Sequence, residues 1–87
     1  MCKADILDRI CYTELVYERI NKKLNTQFSK SEIEKMLFDM VKETHESFFH
    51  KIGKNIYVTN LKKNIKITIN SNTYRIITVE KLDNKEL

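Results

Sequence analysis

The chain reads as an α+β fold: two N-terminal helices packed on one face of a four-stranded antiparallel meander, in the order α-α-β-β-β-β. Three observations lead there. Apolar residues recur every three or four positions as far as Val41, and every second position after Ser47. Ser29-Lys30-Ser31-Glu32 is a capping box, the start signal of a helix. Beyond residue 47, turn signals rich in Gly and Asn divide the chain into four short segments. Strands joined by such short turns pair as hairpins and must bury one face under the helices.

The first helix is expected over 3–24. Ile6, Ile10, Thr13, Tyr17, Ile20 and Leu24 follow one another at spacings of four and three, and Leu7, Leu15 and Val16 widen that seam. A break, if present, falls at Cys11–Thr13. Asn25-Thr26-Gln27 connects to a second helix over 30–43. There the Ser29 hydroxyl can accept from the Glu32 amide, and Phe28 and Ile33 are placed as a hydrophobic staple. Ile33, Met36, Leu37, Met40 and Val41 form its buried stripe, while Glu32, Glu34, Lys35, Asp39, Lys42 and Glu43 face water.

Strands follow at about 47–52, 56–59, 64–69 and 73–81. Gly53-Lys54-Asn55 turns the first into the second. Asn60 to Asn64 and Asn70 to Thr73 make the later turns. Ile65, Ile67 and Ile69 alternate with Lys66 and Thr68, so the isoleucines should meet the Ile33/Met36/Leu37/Met40 stripe and Lys66 should point away. Tyr74, Ile76, Ile77 and Val79 give the last strand apolar residues on both faces, which points to a central position. The tail 83–87 is expected to fray.

At 87 residues this is one domain, spanning 1–87. Such a chain buries roughly 60–65% of its unfolded surface, enough to fold alone. Proline is absent and Gly53 is the sole glycine, so no linker is visible. No run approaches the roughly 20 apolar residues that span a membrane, and the N-terminus lacks a signal-peptide core. On one helix Cys2 and Cys11 would lie about 13 Å apart, beyond disulfide reach. Reduced thiols without a secretion signal suit a cytoplasmic protein.

Charge carries the functional reading. From Ser47 to Val79 there is no Asp or Glu, but there are Lys51, Lys54, Lys62, Lys63, Lys66 and Arg75. Residues 1–50 hold eight Lys/Arg against nine Asp/Glu; residues 51–87 hold eight against three. All of the net charge of +4 therefore belongs to the C-terminal part. This asymmetry points to a polyanionic partner, nucleic acid or an acidic ribonucleoprotein or protein surface. Tyr57 and Phe49 could stack bases while the six cations hold phosphates. The competing reading is plain: lysines on sheet faces and edges oppose aggregation and keep the chain soluble.

Other chemistries are poorly supplied. His45 and His50 lack the partners of a tetrahedral metal site, so neither metal nor cofactor is expected. One glycine cannot build a phosphate-cradling loop. The carboxylates lie on solvent faces, with Glu18 and Lys22 spaced as an i,i+4 pair. Three function classes remain. The first is a non-enzymatic module binding nucleic acid through the basic sheet. The second is a protein-interaction module of the small inhibitor or antitoxin kind, using apolar surface or a free sheet edge. The third is an RNase with His50 as base and Lys54, Tyr57 and Arg75 stabilising phosphate charge.

Two stretches carry a family resemblance. Arg9 to Asn21, with Glu14-Leu15-Val16-Tyr17-Glu18-Arg19-Ile20, and Asn55 to Lys81 resemble a family of small bacterial proteins catalogued as a domain of unknown function. The resemblance implies a bacterial or mobile-element origin and brings no activity with it. Tyr74-Arg75-Ile76-Ile77-Thr78-Val79 also looks like the late strand of RelE-type RNase toxins, although those open with a strand and this chain opens with a helix. A winged helix would take Phe48–Thr59 as its wing, but the helix before it is acidic and apolar, a poor reader of DNA.

Overall fold

The computed structural model describes residues 2–82, so the tail 83–87 lies outside the described residues. Three helices precede a four-stranded antiparallel sheet of order β1-β2-β3-β4. They are α1 (Lys3–Arg9), α2 (Glu14–Leu24) and α3 (Lys30–Glu43). The strands are β1 (Phe49–Ile52), β2 (Asn55–Asn60), β3 (Ile65–Asn70) and β4 (Ile76–Lys81).

The α+β class and the meander agree with the sequence reading, and the number of helices does not. The helix expected over 3–24 is two helices. Ile10 and Thr13 are extended, with ψ 138° and 160°, and Cys11 between them pairs in parallel with Arg75. The Cys11 amide donates to the Tyr74 carbonyl at 3.0 Å, and the Ile76 amide donates to the Cys11 carbonyl at 2.9 Å. These long-range bonds satisfy backbone groups that a continuous helix would have paired internally. They also turn the chain so that α2 runs against β4 while α1 packs on α3. Tyr74 takes φ 61°, uncommon for a bulky residue, where its carbonyl meets Cys11. Arg9 lies 4.6 Å from the centre of the Tyr74 ring.

Local signals explain most other boundaries. The capping box forms as read: the Glu32 amide donates to Ser29 Oγ at 3.2 Å, and the Ser29 amide donates to Glu32 Oε1 at 2.8 Å. Hydrogen bonding from the Ser29 amide, and then from its side chain, holds the Glu32 carboxyl below its usual range. Gly53 takes φ 60° in the two-residue β1–β2 turn, a first-position geometry suited to glycine. β1 starts at Phe49 rather than 47 because Glu46–Phe48 forms a 3₁₀ turn, capped by His45 Nδ1, which accepts from the Ser47 amide at 3.0 Å. β4 starts at Ile76 rather than 73 because the Asn70 side chain accepts from the Asn72 and Thr73 amides at 2.8 and 2.9 Å, holding those residues in a turn. β4 is also an edge strand, not a central one. A register shift opposite Thr68/Ile69 admits the half-buried Ile77, which borders α2.

The core lies between the helices and one sheet face. Ile67 and Ile69 are buried with Ile33, Leu37 and Met40, while Ile65 and Met36 pack at its rim. Two buried polar side chains, Asn60 and Thr44, meet at its edge. Asn60, 4% exposed, donates to Thr44 Oγ1 at 3.0 Å and Glu43 Oε1 at 3.2 Å, and its Oδ1 accepts from the Lys63 amide at 2.8 Å. It ties the C-terminus of α3 to the β2–β3 turn. Asn60→Ala should cost about 1–3 kcal/mol in urea unfolding, because it leaves the Lys63 amide unpaired. A cost near zero would show that water replaces the amide.

Candidate nucleic-acid interface

The six cations singled out in the sequence do not gather at one place. Lys54 and Arg75 share the sheet end that carries the β1–β2 and β3–β4 turns, where the Ser71 amide donates to the Lys54 carbonyl at 2.7 Å. Lys62 and Lys63 lie in the β2–β3 turn at the other end, roughly 20 Å away along a six-residue strand. Lys51 is opposite Ile56 in register, on the helix side of the edge strand. Lys66 does point away from the core, but it is engaged there. Its Nζ is 5.5 Å from the Tyr57 ring centre and 3.9 Å from Glu80 Oε2, its register partner. Glu80 stands one residue beyond the carboxylate-free stretch, so the linear window missed it.

The structure brings a different cationic set together. Along α2, Leu15, Glu18, Arg19, Lys22 and Lys23 are exposed on one stripe, opposite the buried Val16, Ile20 and Leu24. Because α2 runs along β4, the start of this stripe faces Arg75. Thr13, Leu15, Arg19, Arg75 and Ile77 line a cavity of about 240 Å³ between helix and strand. A broader depression of about 710 Å³ shares Leu15 and Arg19 with it and continues past Lys22 and Lys23. Arg19 Nη1 donates to the Ile77 carbonyl at 3.0 Å, which fixes the guanidinium at the strand edge and leaves its other donors for a ligand.

Among the described carboxylates, Glu18 alone lines the broader depression and none lines the cavity. The expected Glu18–Lys22 pair is not formed. The ion pairs among the described residues are Lys30–Glu14, Lys35–Asp39 and Lys66–Glu80. Arg19, Lys22 and Lys23 escaped notice because they were counted within the acidic N-terminal half. Sorting α2 by helical face would have found them; the meeting of Arg19 with Arg75 depends on the Cys11 bridge.

The residues of the RNase alternative are partly assembled. His50 and Tyr57 are register partners on the open sheet face, while Arg75 borders the α2–β4 groove instead. His45 spends Nδ1 on its cap and lines a separate cavity of about 270 Å³ with Phe48 and Leu61. Among the described residues, no group of three or more His, Cys, Asp or Glu is placed to hold a metal ion. No described helix is long and apolar enough to cross a membrane.

Behind the groove, α2 is fastened to α3. The Tyr12 and Tyr17 rings stack at 5.4 Å, and Tyr17 Oη donates to Glu34 Oε2 at 2.6 Å. Burial and then the Glu34 hydrogen bond push the Tyr17 phenol from 10.0 up to about 12. Burial, reinforced by the Glu34 charge, pushes Tyr12 higher still. A raised folded value means that this stabilisation is complete below pH 10 and is lost as pH rises through about 12. Absorbance at 295 nm should therefore show the Tyr12 and Tyr17 phenols still protonated at pH 11, and the late ionisation should diminish in Tyr17→Phe. Complete ionisation by that pH with the fold intact would contradict the packing.

No curated protein and no solved structure matches the chain. A family match covers residues 4–80, from the start of α1 to the end of β4. The chain thus belongs to the family described as "Protein of unknown function (DUF3781)".

Proposed function

We propose that this protein is a non-enzymatic nucleic-acid-binding module whose α2–β4 groove holds a phosphodiester backbone. One observation carries the reading: Arg19 and Arg75 line a common cavity, and Arg19 also lines the depression that continues past Lys22 and Lys23, with Glu18 the one described carboxylate on either. Arginine forks match phosphate oxygens, and lysines along a helix add point charges in line. Lys54, at the same sheet end as Arg75, extends the positive surface. A bacterial cytoplasm suits the exposed thiols of Cys2 and Cys11, which stay reduced there.

The test is fluorescence anisotropy with labelled RNA and DNA at about 50 and 200 mM salt. Four phosphate contacts give a slope of log K against log salt near −3, so affinity should fall roughly 50- to 150-fold across that range. Absence of binding at the lower salt would sink the proposal. Leu15, 72% exposed within the same groove, favours a protein partner as the second reading. Such a complex would survive both high salt and nuclease.

A further inference from the structure

We infer that the groove takes a single strand and seats one base on its apolar floor; this rests on the nucleic-acid reading above. The groove is not uniformly charged. Leu15 projects into it at 72% exposure, and Ile77 lies beside it on the strand. An exposed leucine between two arginines that hold phosphate sits at the level of the backbone, where an undistorted duplex offers phosphates outward and keeps its base faces in the stack and its thymine methyls inside the groove. An unstacked nucleotide offers both surfaces at once. Its base can lie on Leu15 and Ile77 while its phosphate is held between Arg19 and Arg75.

The backbone favours this placement. Arg19 is held at the strand edge by its 3.0 Å bond to the Ile77 carbonyl, so its position is set before a ligand arrives. Lys22 and Lys23 follow one turn further along α2, where the neighbouring phosphates of an extended strand would pass.

The experiment compares three labelled probes of about 12 nucleotides: a single strand, the corresponding duplex, and an abasic strand of equal charge. Each is titrated at about 50 mM salt against the native protein and Leu15→Ala. Leu15 is exposed, so the variant folds; circular dichroism checks this. The single strand should bind tightest, the abasic strand more weakly, and Leu15→Ala should lose about tenfold for the single strand alone. Equal affinity for all three probes, with Leu15→Ala silent, overturns the inference while leaving nucleic-acid binding intact. A preference for bases that Leu15→Ala does not change places the base elsewhere and also overturns it. No binding to any probe removes both readings.

Discussion

Replacing Lys22, Lys23 and Arg75 by Glu is expected to lower nucleic-acid affinity at least about a hundredfold at 50 mM salt. The matched control replaces Lys51, Lys62 and Lys63 by Glu and should change affinity only a few-fold. Both triple variants carry the same formal charge, since three reversals take +4 to −2. Long-range steering is thus weakened equally, and the difference reports local contact. Lys22 and Lys23 occupy the last turn of α2, where acidic residues oppose the helix dipole. Thermal melts must therefore accompany the binding curves, and the corresponding Gln substitutions serve as a second set. Equal losses in the two triples would mean that affinity follows net charge and that the groove is not the footprint.

Leu37→Ala should reduce folding stability by about 3–4 kcal/mol. Leu37 is fully buried at the middle of α3, in the layer that receives Ile67 and Ile69. An 87-residue chain has about 5–10 kcal/mol in total, so this one substitution removes a large share of it. Phe38, its neighbour, is 39% exposed, and Phe38→Ala should cost much less. Urea denaturation of the two variants measures the difference. A loss below about 1 kcal/mol for Leu37→Ala would show that α3 does not pack on the sheet as described.

The sequence shows its local structure well and its assembly poorly. Alternation in Ile56–Asn60 is visible residue by residue and reappears as buried and half-buried sides of β2, whereas β3 buries Thr68 between Ile67 and Ile69. The box at Ser29 and Glu32 needs no distant partner. The break at Cys11 does: the sequence marks Cys11–Thr13 only as the place where a break would fall, and Tyr74 and Ile76, some sixty residues on, turn Cys11 into an extended residue. The charge pattern shows the same limit. A window that runs from Ser47 to Val79 stops one residue before Glu80, the register partner of Lys66. A charge count over residues 1–50 likewise averages Arg19, Lys22 and Lys23 with acidic neighbours such as Glu14 and Glu34, which the fold turns toward Lys30 and Tyr17. Arg75 was visible in the sequence; its companions depended on where α2 lands.

Titrating the isotope-labelled protein with a short single strand, and following backbone amide shifts by nuclear magnetic resonance, locates the footprint without any substitution. Shifts concentrated on Leu15–Lys23 and Arg75–Ile77 are the predicted result. Shifts confined to the β2–β3 turn and the open sheet face, with α2 silent, would contradict the groove as the binding surface.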